Sequence, residues 1–147
     1  MGIDVSVQTH IRRPRSQVAA FAMDPGNDTT WIGGISHARA LTPAPIGKGT
    51  QVERVAGFLG RRIEYVLEVV EHEPEALMAM RSVRSPFPMA VTYRFEEAEG
   101  GTLAHLRVEG EAGGFFSLAS PLMALMVKRN ISRDIEALKA ALEGKPE

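Results

Sequence analysis

The chain contains no cysteine. That excludes disulfides, thiolate metal sites and a cysteine nucleophile. It fits a reducing compartment, so a cytoplasmic location is expected. Charge of one sign is missing too: Lys and Arg number 17 against 18 Asp and Glu, for a formal net charge of -1. Domains that grip phosphate backbones carry a clear basic excess, so nucleic acid is not an expected partner. Long apolar runs are absent. The longest lies around Leu122 to Val127, far short of the roughly 20 residues that span a bilayer. Stable membrane insertion is therefore not expected, and Met1 to Val5 do not read as a signal peptide. The histidines, His10, His37, His72 and His105, fall on different segments with no metal-ligand spacing and no HExxH pattern. Neither a metal nor a cofactor is expected. His37 alone stays open, as a base facing the interior or as a surface residue.

What is present reads as one domain over residues 1–147. Ile3, Val5, Val7, Thr9 and Ile11 alternate with Asp4, Ser6, Gln8, His10 and Arg12, the pattern of a strand with one buried face. Pro14 suits the first turn of a short helix carrying Val18, Phe21 and Ala22. Asp24-Pro25-Gly26-Asn27-Asp28 stops that helix, and a second helical turn follows with Trp31 packed inward. From residue 35 to 113 the chain reads as consecutive strands separated by short Pro- and Gly-containing turns. Short connections favour an antiparallel meander. Ser120 and Pro121 then open a long helix in which Leu122, Met126, Ile131, Ile135, Leu138 and Leu142 mostly share a face. Gly144 is its expected stop.

The order of elements resembles the helix-grip fold of the START/Bet v 1-like (SRPBCC) superfamily. Its motifs resemble the polyketide cyclase/dehydrase-like branch. The resembling residues are Ile11-Arg12-Arg13-Pro14 with Val18 and Phe21, and Asp24-Pro25-Gly26-Asn27 with Trp31. Gly47-Lys48-Gly49-Thr50, Gly60-Arg61, Val69-Val70-Glu71-His72-Glu73-Pro74 and Tyr93-Arg94-Phe95 continue the series over nearly the whole chain. The resemblance implies an α+β domain: about seven curved antiparallel strands wrapped around the C-terminal helix, with two short helices between strands 1 and 2. It also implies an apolar small molecule held between sheet and helix. The branches of the superfamily share little chemistry, so fold does not supply function.

A meander places the loops at 57–61, 85–88 and 111–117 at one end. Together they carry Phe58, Leu59, Phe87, Phe115 and Phe116. Large apolar residues in loops are unusual. They read either as a hydrophobic gate over a pocket or as a plug that closes the core. Tyr65 and Tyr93 fall on inward sides of strands, either orienting a ligand or donating a proton, or simply as core phenols with internal partners. Arg54 shares parity with Val52 and Ala56, and Arg81 with Leu77, Ala79 and Val83, so both are candidates for the interior. A buried cation is costly without an anion, so an inward arginine would call for a carboxylate or phenolate ligand. The alternative is that Arg54 is solvated. Trp31, Met89, Met123 and Met126 complete the candidate lining, since methionine adapts to ligands of varied shape; ordinary core packing is the other reading.

Three functional readings follow: a binder or carrier of a lipid-like or aromatic small molecule, an enzyme that cyclises or dehydrates a polyketide-like chain, or an interaction module whose apolar mouth is a partner site or a homodimer interface. The sequence presents no convincing acid–base pair for the second.

Overall fold

The structure is a computed structural model that describes residues 2–58, 60–85, 88–111 and 121–144. The elements run β1 (Gly2–Ile11), α1 (Arg15–Ala22), α2 (Asp28–Trp31), β2 (Ile35–Ala40), β3 (Gln51–Phe58), β4 (Arg61–Glu73), β5 (Leu77–Arg84), β6 (Met89–Ala98), β7 (Gly101–Glu111) and α3 (Pro121–Glu143). A 3-10 turn over Pro25–Asn27 joins α1 to α2, capped by the Asp24 carboxylate accepting from the Gly26 N–H. All neighbouring strands are antiparallel, in one sheet of order β1-β7-β6-β5-β4-β3-β2. β2 follows β1 in sequence, yet the two lie at opposite edges. The two short helices make that crossing.

The period-two pattern becomes a buried concave face. Val52, Arg54 and Ala56 of β3 stand opposite Leu67, Tyr65 and Ile63 of β4. Met78 and Met80 of β5 stand opposite Tyr93 and Val91 of β6, which pair in turn with Leu106 and Val108 of β7. The curved face is covered by α3, whose Ile131, Ile135, Leu138 and Leu142 are all buried at spacings of three or four. Each buried aliphatic side chain of this kind contributes about 1.5–3 kcal/mol. This is the helix-grip arrangement expected from the sequence. Ser120, the expected cap of α3, lies outside the described residues. No helix among the described residues is long and apolar enough to cross a membrane.

Two glycines hold the elements together. Gly101 lies against β1, where an added Cβ would sit 2.1 Å from the Ile11 carbonyl oxygen. Gly34 has φ +85° and its carbonyl accepts from the Gly57 N–H at 2.9 Å. This left-handed turn swings the chain from α2 onto β2 and positions one wall of the site described next.

Candidate functional site

The apolar faces of sheet and helix do not close completely at one end. A cavity of about 210 Å³ remains there, lined by Ile3, Ile35, Ile63, Tyr65, Met89 and Val108 of the sheet and by Met123, Val127, Asn130 and Ile131 of α3. Ile32, Gly33, Ala56, Gly57, Glu109 and Gly110 complete the wall. This is the end where β3, β5 and β7 finish and α3 begins, so the described part of the expected mouth borders a cavity. The side chains of Phe58, Leu59, Phe87, Phe115 and Phe116 lie outside the described residues. A wider cleft of about 740 Å³ lies between α1, β2 and the β4–β5 turn. It is an open surface trough remote from the sheet–helix interior, and its lining has no buried ionisable group.

Behind the Tyr65 wall lies a buried polar cluster. Arg54, only 4% exposed, faces the interior. Its Nε donates to Asp28 Oδ2 at 2.9 Å, and its Nη2 donates to the Tyr93 hydroxyl at 3.0 Å. Asp28, 1% exposed, is held there by the first turn of α2. The anion that a buried arginine demands is thus Asp28 of the same chain, not a ligand, which corrects the expectation drawn from charge alone. Burial pushes the Asp28 carboxyl upward even with Arg54 beside it. The two phenols and Asp28 raise Arg54 well above its ordinary value against the opposing effect of burial, so it stays cationic. Burial raises Tyr93 to about 12 and also raises Tyr65, against the pull of Arg54. Both phenols are therefore protonated hydrogen-bond donors at neutral pH. Trp31 packs edge-on against Tyr93 with ring centroids 5.6 Å apart.

The expected site residues divide as follows. Tyr65, Met89 and Met123 line the cavity. Arg54, Tyr93 and Trp31 stand behind it, already in contact with one another or with Asp28. Met126 is half-buried, one residue before the lining Val127. Arg81 is exposed, contrary to expectation. Met78 and Met80 take the inner face of β5, so Arg81, opposite Ala90, points outward together with Val83. His37 is also exposed.

Sequence reasoning missed two acids. Asp28 sits in a polar cluster that reads as a turn, and its partner lies on a strand 26 residues away. Asp134 is 8% exposed on α3, and its Oδ1 accepts the Gly33 N–H at 2.9 Å. Burial raises this carboxyl to about 6, although Gly33, Arg133 and Arg54 all favour its charged form. A signal was available: Asp134 lies three residues after Ile131 and four before Leu138, so it interrupts the apolar stripe. Asp134 lines a more polar groove of about 480 Å³ with Thr30, Trp31, Asn130 and Arg133. Ile32, Gly33, Gly57 and Asn130 border both this groove and the apolar cavity.

Solved structures share this architecture. A START superfamily protein from Mycobacterium smegmatis matches with a TM-score of 0.82 and 13% identity, covering 97% of this chain and 99% of that one. The Zhui aromatase/cyclase from Streptomyces sp. R1128 matches with a TM-score of 0.76 and 17% identity, over 97% and 94% of the two chains. The protein TTHA0849 from Thermus thermophilus matches with a TM-score of 0.73 and 20% identity, over 96% and 94%. At these identities the likeness establishes the fold alone. Comparison with curated proteins returned no match. Residues 2–143 match the family described as polyketide cyclase / dehydrase and lipid transport, and the chain belongs to that family.

Proposed function

We propose that this protein binds an apolar small molecule, lipid-like or aromatic, in the cavity between the sheet and α3, acting as one domain in the cytoplasm. The observation that carries this reading is the cavity itself. It is an apolar space of about 210 Å³ with one phenol, Tyr65, in its wall. Pockets of this make-up bury the body of a ligand and fix its orientation through a few polar groups. Benzene fills an engineered cavity of roughly 150 Å³, so the space suits a substituted ring or a short acyl segment. The family's description, which joins polyketide cyclisation and lipid transport, supports a hydrophobic ligand.

Catalysis on a polyketide-like chain is the second reading. Its support is the Tyr65 phenol facing the cavity, with the Arg54 cation drawing down its raised pKa. A donor so placed suits protonation of an enolate. Against it, Arg54 and Tyr93 are occupied with each other and with Asp28.

Native mass spectrometry of the protein as purified from cells, beside a denatured control, tests the binding reading. A reproducible added mass released by denaturation supports it, and a bare mass under every condition counts against it. The same spectrum reports whether the chain is a monomer or a dimer. Tyr65→Phe separates the two readings. A binder keeps its affinity within a few-fold, whereas an enzyme that uses the hydroxyl loses turnover while still binding.

A further inference from the structure

The groove beside the apolar cavity is lined by a carboxyl that protein contacts satisfy only on one side. Asp134 is more than nine-tenths buried, yet among the described residues only its Oδ1 has a hydrogen-bond partner, the Gly33 N–H. Its second oxygen has no protein donor among the described residues and opens to the groove, where water or a ligand meets it. One turn earlier on the same face of α3 stands Asn130, four residues away. Its Oδ1 accepts from Arg133 Nη2 at 2.8 Å, which turns the amide so that its NH2 remains a donor. Asn130 borders both the groove and the apolar cavity, so it stands where the two spaces adjoin.

We propose that Asp134 and Asn130 form the polar subsite of the ligand, and that the ligand is an apolar molecule ending in a neutral hydroxyl. The inference rests on the binding reading above and specifies its ligand. A hydroxyl donates to Asp134 Oδ2 and accepts from Asn130 Nδ2, which matches both unfilled valences. A cationic end is opposed by Arg54 and Arg133, both of which act electrostatically on Asp134. An anionic end meets the carboxylate itself. A methyl ether accepts but cannot donate, so it leaves Asp134 unmet. The apolar body of the ligand then lies against Val127 and Ile131, the neighbouring inward positions on the helix.

The test uses four probes with one body: 4-propylphenol, 4-propylanisole, 4-propylbenzoate and 4-propylbenzylamine, titrated calorimetrically at pH 7.5. The expected result is that the phenol binds roughly tenfold or more tighter than the anisole, since a hydrogen bond to a charged acceptor is at stake. Both ions bind more weakly than the phenol. Asp134→Ala removes the preference for the phenol and leaves the anisole's affinity within about twofold. Asp134→Asn retains a carbonyl oxygen for Gly33 and turns an NH2 toward the groove, which either oxygen can accept, so the preference for the phenol is lost. Equal binding of phenol and anisole to the wild type overturns the subsite while leaving the cavity reading intact. So does a phenol preference that survives in Asp134→Asn, because the donor is then met elsewhere, Tyr65 being the alternative. Binding of none of the four overturns the binding reading and the subsite with it.

Discussion

Buried charge dominates the energetics at the scale of single residues. Arg54 and Asp28 are a desolvated ion pair, and removing one partner strands the other. Arg54→Met is expected to cost about 3–5 kcal/mol in chemical denaturation. The double substitution Arg54→Met with Asp28→Asn should recover most of that loss. A double variant no more stable than the single one would show that Asp28 is not what Arg54 neutralises. Asp134 has the opposite character. Its carboxyl titrates near pH 6 in the folded protein, above an ordinary value of 3.8, so the folded state binds the extra proton between those limits. Its contribution to stability therefore rises as pH falls from about 6 toward 4. Holding the charged form therefore costs stability at neutral pH. Asp134→Asn should exceed the wild type in stability at pH 7.5, with the gap closing by pH 4. A gap that does not change with pH would contradict the assignment.

Secondary-structure elements are held in place by contacts at their ends. The last turn of α3 is fastened to the end of β1: Glu143 Oε2 accepts the Arg12 N–H at 2.8 Å and pairs with Lys139 at 2.9 Å. Those partners lower the Glu143 carboxyl to about 2 from 4.5. Stability from this fastening is fully present above pH 4.5 and is lost as pH falls through about 2. The deficit of Glu143→Gln relative to wild type should follow the same profile, measured as thermal midpoint against pH. At the α2–β2 corner, Gly34→Ala forces a side chain into φ +85° and puts its Cβ 3.2 Å from the Gly57 carbonyl oxygen. A cost of roughly 1–2 kcal/mol is expected. Ligand affinity should fall as well, because Gly33 and Gly57 are cavity wall. Stability loss without any change in affinity would mean that the corner does not shape the cavity.

At the scale of the whole molecule, sheet and helix leave a cavity at one end of a packed core, so a ligand should stabilise the fold by mass action. At a hundred times its Kd, 4-propylphenol should add about 2.7 kcal/mol, a rise of several degrees in Tm. Val127→Phe, which fills the cavity from α3, should abolish that rise while leaving the fold intact. A rise that persists in this variant would locate the ligand elsewhere, the open cleft beneath α1 and the groove beside Asp134 being larger concavities.

Element order, strand alternation and the apolar stripe of α3 were legible in the residues, because secondary structure follows local periodicity. Even the span of α3 is readable, since Pro121 and Gly144 punctuate it. Facing was harder to read. On β5 both parities carry apolar residues, and only pairing with Val91 and Tyr93 on β6 turns Met78 and Met80 inward and leaves Arg81 outside. The sequence established that Arg54, if inward, needs an anion. The fold alone supplied Asp28, because the partners approach only when α2 is laid across the end of the sheet. In the same way, the stripe of α3 reveals Asp134 as an acid among apolar neighbours, but its unfilled oxygen exists only where α3 meets the Gly33 corner. Local periodicity determines which segments are strand or helix. Which polar groups meet, and which are left for a ligand, is decided by contacts between residues distant in the chain.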